Sequence, residues 1–542
     1  MEKYFEGNIV DIHRRIIYPG KIILKSGRIG AIETTAKEYQ HFIMPGFVDA
    51  HVHIESSMLT PGGFAQLAMA HGTVATVSDP HEIANVLGVE GVNYMINEAA
   101  TVPLKFHFGA PSCVPATHQE SSGAEIKAGE IEKLLERDDI HFLSEMMNFP
   151  GVINNEPEVL KKIKHAQKSG KPIDGHAPGL RGVPLEAYVR AGITTDHECT
   201  DLEEALEKIK RGMIIQIREG SAAKDFETLH SLIDLFPGQV MLCTDDLHPD
   251  DLKQAHINKM VSHGLQKNLD LFNILNAAIT NPVRHYNLDV GMLQIDDPAD
   301  FIVVDNLEAF NILQTVIDGE VVYKDEKVAW PHVKPPPINR FNAQRIRAED
   351  IQVPDQGQPL RIIKAFDGEL YTKGLLEWPE VHQGMVVSDT RRDTMKMVVL
   401  NRYEASEPAV GFITGFGMKN GAIGSSIAHD SHNIIAIGAN DDDLVRVVNG
   451  IVEMKGGLAI LKNGEMRSLK LDVAGIMSAE EPADLVAQYQ EINRWAQSLC
   501  PAMSAPFMTL SFMSLLVIPE LKLSDRGLFD VPAFEIVSLF KE

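Results

Sequence analysis

Eight short apolar or β-branched runs, each ending in polar residues and most followed by a helical stretch, set the tightest limit on what residues 46–285 can fold into. The first is "FIMPGFVDAHVH" and the next four are "GTVATVSDPHE", "KFHFGAPSC", "IHFLSEMMN" and "KPIDGHAPG". "ITTDHECTD", "MIIQIREGS" and "QVMLCTDDLHP" complete the set. Between them lie helical patterns such as "PEVLKKIKHAQKSGK" and "DLEEALEKIKRG". Strand–helix alternation over roughly 240 residues has the rhythm of a (β/α)8 barrel, which places its chemistry at the C-terminal ends of its strands.

The flanks read differently. Residues 1–45 carry period-two segments punctuated by Pro-Gly and Ser-Gly ("GNIVDIH", "RRIIYPGKIILKSGRIGAIE"), and similar material returns over 286–330. The two β-rich flanks predict one small β-sandwich built from both, around a central barrel of 46–285. A Pro-rich joint, "VAWPHVKPPPINR", then opens a region over 340–542 that mixes strands ("KMVVLNRYE", "GLAILKNGE") with helices ("DDLVRVVNGIVEMKGG", "PADLVAQYQEINRWAQSL") and reads as α/β. The expected fold class is therefore α/β: a barrel, a sandwich from its flanks, and a C-terminal α/β domain.

Composition excludes several functions. Lys and Arg number 50 against 75 Asp and Glu, a formal charge of −25, which speaks against nucleic acid or an anionic membrane as partner. Cys113, Cys199, Cys243 and Cys500 form no CxxC pair, so neither a disulfide framework nor a thiolate zinc site is expected. The start "MEKYFEGNIVDIHRR" has no signal-peptide core, and the apolar run at 507–519 is too short to span a bilayer. A reduced, cytoplasmic protein is expected.

If the barrel is right, its strand ends carry the active site. They offer His51 and His53 on strand 1, Glu145 on strand 4, His176 on strand 5, His197 on strand 6 and Asp245 on strand 8. His51 and His53 flank one residue and so lie on the same side of a strand, where both imidazoles can reach one ion. Four imidazoles and two carboxylates make a nitrogen/oxygen set for divalent zinc, manganese, iron or cobalt. The set exceeds what one ion with an open position needs and suits two ions bridged by a carboxylate.

The chain resembles the amidohydrolase superfamily in "KSGRIGAIE", "MPGFVDAHVH" and "DPADFIVVD". It is closely similar to the adenine deaminase family in "GFVDAHVHIESSMLTP", "SDPHEIANV", "GAPSCVPAT", "SEMMNFPGV", "DGHAPGL", "GITTDHECT" and "CTDDLHPDDL". "GFGMKNGAIGSSIAHDSHNII" and "ELKLSDRGLFD" extend that similarity into the C-terminal region. The resemblance covers essentially the whole chain. Where many amidohydrolases bridge their metals with a carboxylated lysine, "FLSEMMNFPG" offers Glu145, and the resemblance makes this residue the bridge.

The resemblance implies hydrolytic deamination of adenine to hypoxanthine and ammonia, by a metal-activated hydroxide attacking C6, with Asp245 moving the proton. The donor set suits a binuclear centre, with manganese first and iron or zinc also suited, and a homodimer is expected because symmetric homo-oligomers are common. Ring N1 needs a proton or strong hydrogen bond; His118, Glu219 and Asp246 are the candidates. "HDSH" (His429, Asp430 and His432) completes the site as a lid, reaches the site of a neighbouring subunit, or is a structural turn. "SDPHE" (Asp79, His81, Glu82) reads equally as substrate contact and as a solvated helix start. Glu55 reads as an orienting or capping group, and His248 with Asp250 and Asp251 as a helix N-terminus.

The alternative substrate is another aminated purine or a cyclic amide, for which the ligand set would be the same. A cytidine-type deaminase would need a Pro-Cys-x-x-Cys partner for His53-Ile54-Glu55, and no two cysteines lie close enough. A non-catalytic scaffold on the same barrel would have no reason to keep all six ligand positions filled.

Overall fold

The computed structural model describes residues 3–541. Its centre is a ring of parallel strands: β1 (Phe47–Val52), β2 (Thr73–Ser78), β3 (Lys105–Ala110), β4 (Ile140–Met146), β5 (Ile173–Gly175), β6 (Thr195–Asp196), β7 (Ile214–Arg218) and β8 (Val240–Cys243). β1 to β5 form one hydrogen-bonded sheet and β6 to β8 another. Thr194 N–H donates to Ile173 O (2.9 Å) between the two at one seam. At the other, Asp245 N–H donates to His51 O (2.9 Å) and His53 N–H to Asp245 O (3.2 Å). The ring thus closes on the residues expected to carry chemistry. β1 and β2 are buried at every position, as strands of a parallel barrel sheathed by helices must be.

The intervening helices follow from local signals. Leu202–Lys210 starts at Asp201, whose side chain accepts from Glu204 N–H, with Glu203 and Glu204 in the first turn and Lys208 and Lys210 in the last. This polarity complements the helix dipole. Pro157–Ser169 begins on proline and stops at Gly170, whose φ of 71° is the left-handed conformation glycine adopts freely.

The flanks meet in one eight-stranded sheet. Lys3–Asp11 pairs antiparallel with Ile16–Lys25 and parallel with Phe42–Pro45, which in turn pairs antiparallel with Phe301–Val304. Ile9, Ile22, Ile43, Phe301 and Val316 form its core. The C-terminal region has a second eight-stranded sheet, including Met395–Leu400 and Gly457–Lys462, against which the helix Asp441–Met454 packs through Leu444, Val447, Val448 and Ile451. A single apolar cluster runs from the barrel (Val52, Met58, Leu59) into this region (Ile423, Met477, Phe512), and Ser478 N–H donates to Met58 O (2.8 Å) across the junction. Among the described residues no helix is long and apolar enough to cross a membrane.

Beneath the strand ends lies a fully buried cation. Lys208 Nζ donates to Ala177 O (2.7 Å), to Glu204 Oε1 (2.5 Å) and to Asp196, so one ammonium ties the residue after His176 to the residue before His197. Lys208→Met leaves Asp196 buried without its counter-charge. We expect it to cost about 3 to 5 kcal/mol of unfolding free energy, measured by urea denaturation with metal content held constant.

Candidate metal centre and substrate cavity

The six expected ligands are buried together: His53, Glu145, His176, His197 and Asp245 line one cavity, and His51 stands beside His53 and Asp245 behind its wall. His51 Nε2 and His53 Nε2 stand 3.2 Å apart, and both face Asp245 Oδ1, at 3.4 and 3.1 Å. Glu145 Oε1 lies 3.3 Å from His53 Nε2. On the other side, His176 Nδ1 and His197 Nε2 are 3.3 Å apart and lie 2.6 and 3.2 Å from Glu145 Oε2. Each oxygen of Glu145 therefore faces its own histidine pair.

These donors fit divalent cations. Imidazole nitrogens and carboxylate oxygens brought together at such distances repel unless a proton or cation sits among them. Nitrogen and oxygen donors in this number match zinc, manganese or iron. His176 Nε2, His197 Nδ1 and His51 Nδ1 are buried without a hydrogen-bond partner.

The electrostatics are those of a desolvated, densely charged site. Burial opposes ionisation of Glu145, but the charges of His176 and His197 hold its carboxyl well below the usual range. Burial likewise opposes ionisation of Asp245, and hydrogen bonds from His51 and His53 with the charge of Arg218 outweigh it. Burial lowers His197, and Glu145 more than reverses this, to about 9. Burial and the neighbouring charge of Asp245 push Asp246 up to about 6.

Arg218, Glu198 and Phe512, which were not singled out from the sequence, complete the site together with Asp430 of "HDSH". Arg218 Nη1 donates to Asp245 Oδ2 (2.8 Å) and to Glu198, and its Nε to Asp225 Oδ2 (3.1 Å), so one buried guanidinium fixes three carboxylates. Glu198 Oε1 lies 3.6 Å from His197 Nε2 and 3.8 Å from His176 Nδ1. Asp430 is buried in the cavity wall, with Oδ2 3.8 Å from His81 Nε2. Phe512 stacks on His429 with ring centroids 4.5 Å apart.

His81 and Glu82, read from sequence as either substrate contacts or a solvated helix start, are buried in the cavity wall. His81 Nδ1 is 3.4 Å from Glu145 Oε1 and 3.2 Å from Asp79 Oδ2. Glu82 Oε1 pairs with His429 Nδ1 at 2.6 Å, and its other oxygen with His432. "HDSH" therefore reaches the barrel of its own chain. Glu55 Oε1 accepts from Ile83 N–H (3.1 Å) and so anchors the helix that begins at His81.

Of the three candidates for ring N1, only Asp246 lines the cavity, where Ser56 Oγ donates to it. His118 and Glu219 must be corrected. His118 is exposed on the long segment after β3, where its carbonyl accepts from Arg526 (2.7 Å) in a separate surface cleft. Glu219 directly follows Arg218, so strand alternation turns it to the opposite side. Its Oε1 accepts from Phe226 N–H (3.2 Å) and it lines another cleft, beside Lys224 and His263.

Met147 from the barrel and Leu370, Phe512, Leu515 and Ile518 from the C-terminal region give the cavity an apolar wall.

Comparison with known proteins agrees with this architecture. Residues 42–322 match the amidohydrolase family, a class of metal-dependent hydrolases, and residues 369–535 match the adenine deaminase C-terminal domain. The adenine deaminase of Methanosarcina mazei is 52% identical over 555 residues, covering 100% of both chains. Those of Salinibacter ruber and Parabacteroides distasonis are 51% and 48% identical, each covering 98% of both chains. The chain belongs to the adenine deaminase family of the amidohydrolases.

Wild-type protein freed of loose ions by gel filtration should carry about two equivalents of divalent metal per chain by plasma mass spectrometry, and Glu145→Gln about one or fewer. Full metal content in Glu145→Gln would rule the residue out as a ligand shared by both histidine pairs.

Proposed function

We propose that this chain hydrolyses adenine to hypoxanthine and ammonia. One observation carries the reading. The histidine–carboxylate set of the barrel faces a wall supplied by the C-terminal region, and that region matches the family model of adenine deaminases. A purine is flat, with apolar faces and a polar edge. Leu370, Phe512, Leu515 and Ile518 suit the faces, while Asp246, Glu82, His429 and Asp430 offer polar groups to the edge.

In this reading His51, His53, Glu145, His176, His197 and Asp245 would hold two divalent cations, manganese by preference with iron or zinc also suited, with Glu145 the carboxylate set between the two histidine pairs. Bound there, the cations supply Lewis acidity and a water acidic enough to lose its proton near neutral pH. Asp245 takes that proton at its carboxylate and returns it to the amino nitrogen as the C6–N bond breaks. The Arg218 hydrogen bond to Asp245 Oδ2 keeps this carboxylate oriented and ionised. Asp246 holds the hydrogen bond to ring N1, with the His429–Glu82 pair beside it on the same edge. The apolar wall excludes bulk water, so these contacts act in a medium of low dielectric.

The same reading takes the chain as a cytoplasmic homodimer, twofold assemblies being the commonest. It assigns no nucleic-acid partner, in keeping with a net charge of −25. The competing substrates are N6-substituted adenines, other aminated purines and cyclic amides, which would use the same ligand set.

Manganese-loaded protein should release ammonia from adenine in preference to adenosine and N6-methyladenine. Asp245→Asn should lower kcat by about 10² to 10⁴-fold, and chelation should abolish turnover until metal is restored. Metal-replete protein that releases ammonia from none of the three would discard the substrate.

A further inference from the structure

Lys522 lies in the short strand Leu521–Ser524, within "ELKLSDRGLFD", and is wholly buried at 0% exposure. Its Nζ donates to two backbone carbonyls, Leu370 O at 2.7 Å and Phe512 O at 2.9 Å. Burial alone pushes its ammonium down to about 7, and no neighbouring carboxylate offsets that effect. A core methionine would fill similar volume without the desolvation cost of an ammonium, so the hydrogen bonds are what the lysine adds.

The two carbonyls belong to residues from separate segments whose side chains stand together in the cavity wall. Leu370 lies on the connection between the strands Leu360–Lys364 and Lys373–Glu377, and Phe512 lies on the short turn after the helix Pro506–Ser511. Thr372 laces the same connection to the same strand: its Oγ1 donates to Leu521 O (2.8 Å) and accepts from Leu521 N–H (3.1 Å). Phe512 stacks on His429, and His429 is paired with Glu82 in the barrel. Moving either segment would therefore shift the apolar wall, and moving Phe512 would also disturb the polar edge opposite the metal ligands.

We infer that Lys522 is a positioning residue, a buried ammonium that staples the Leu370 and Phe512 segments together and so sets the wall against which the substrate ring lies. That the ring is adenine rests on the function proposed above; the staple does not. The wall touches the ring equally before and during reaction, so its loss removes uniform binding and raises KM more than it lowers kcat.

The test compares Lys522→Met and Lys522→Gln with the metal-loaded wild type. Hydrogen exchange should show protection lost in peptides covering 366–372 and 511–518, with the barrel strands unchanged. KM for adenine should rise about tenfold in Lys522→Met and less in Lys522→Gln, which keeps a donor, at full metal content and with kcat within about threefold. A role confined to the fold would lower the melting temperature and leave KM and local protection unmoved. Unchanged protection beside normal wild-type turnover would overturn the staple and keep the substrate. Lost protection beside a wild type inert to adenine would do the reverse. Failure of both variants to fold would assign the lysine to the fold alone and count against the proposal.

Discussion

Six donors pointed at one another in a buried pocket stay in place only where the backbone that carries them cannot relax away. His51 and His53 face each other at 3.2 Å, and His176 and His197 at 3.3 Å, with carboxylate oxygens between. Every one of these groups sits at or within two residues of the end of a parallel barrel strand, held by neighbours on both sides. Asp245 adopts a left-handed φ of 56°, which aspartate tolerates better than most residues, so that its backbone can bond to both His51 and His53. Around the donors, buried cations and hydroxyls fix the next layer: Lys208 beneath His176 and His197, Arg218 behind Asp245 and Glu198, and Tyr188 OH accepting from His176 N–H (3.0 Å). These ions are costly to bury, and they persist because each closes several hydrogen bonds at once.

The barrel by itself presents half a site. Its strand ends supply the ligands, Arg218 and Asp246, but the wall opposite comes from Leu370, His429, Asp430, Phe512, Leu515 and Ile518, all beyond the Pro-rich joint. That wall is seated by the apolar cluster continuous from Val52 and Met58 to Met477 and Phe512, by the ion pair of Glu82 with His429, and by the contact of the other Glu82 oxygen with His432. Glu82 is the electrostatic counterpart of this contact: burial disfavours its charge, and the two histidines with His81 restore it. Two units that meet through a buried carboxylate and an apolar cluster are set in one relative position, which is what a cavity shared between them requires.

What could be read in the sequence followed from periodicity. The strand–helix rhythm named the strand ends, parity put His51 and His53 on one side of theirs, and the structure brings those two together with Glu145, His176, His197 and Asp245. The same rule explains a failure: "REGS" was read through Glu219, yet the inward position is Arg218, one residue earlier, and a single-residue slip reverses the face. A signal was present there, since arginine at the end of an otherwise apolar strand needs an anion, and strands 6 and 8 offered Glu198 and Asp245. His118 failed differently, since it lies on a long loop where no periodicity fixes direction. Phe512 and the apolar wall were illegible because they come into place through docking of distant segments, for which local pattern carries no information.

Glu145, proposed above as the carboxylate between the two histidine pairs, shows what a short side chain demands of its backbone. A carboxylated lysine has a long, flexible stem and can reach toward two ions from some distance. Glu145 offers the same two oxygens on a short stem, so the strand must deliver it nearly in place. The backbone here is pinned on both sides of that residue: Ser112 Oγ donates to Glu145 O at 2.5 Å, and Tyr188 OH donates to Met146 O at 2.8 Å. Ser112 is in turn held through its carbonyl by buried Lys162 at 2.7 Å, and Tyr188 also accepts from His176 N–H, so the Glu145 strand and His176 share an anchor. Rigidity in the β4 backbone takes the place of side-chain length, and the oxygens reach both histidine pairs because residues 112, 162 and 188 leave Glu145 little freedom to turn elsewhere.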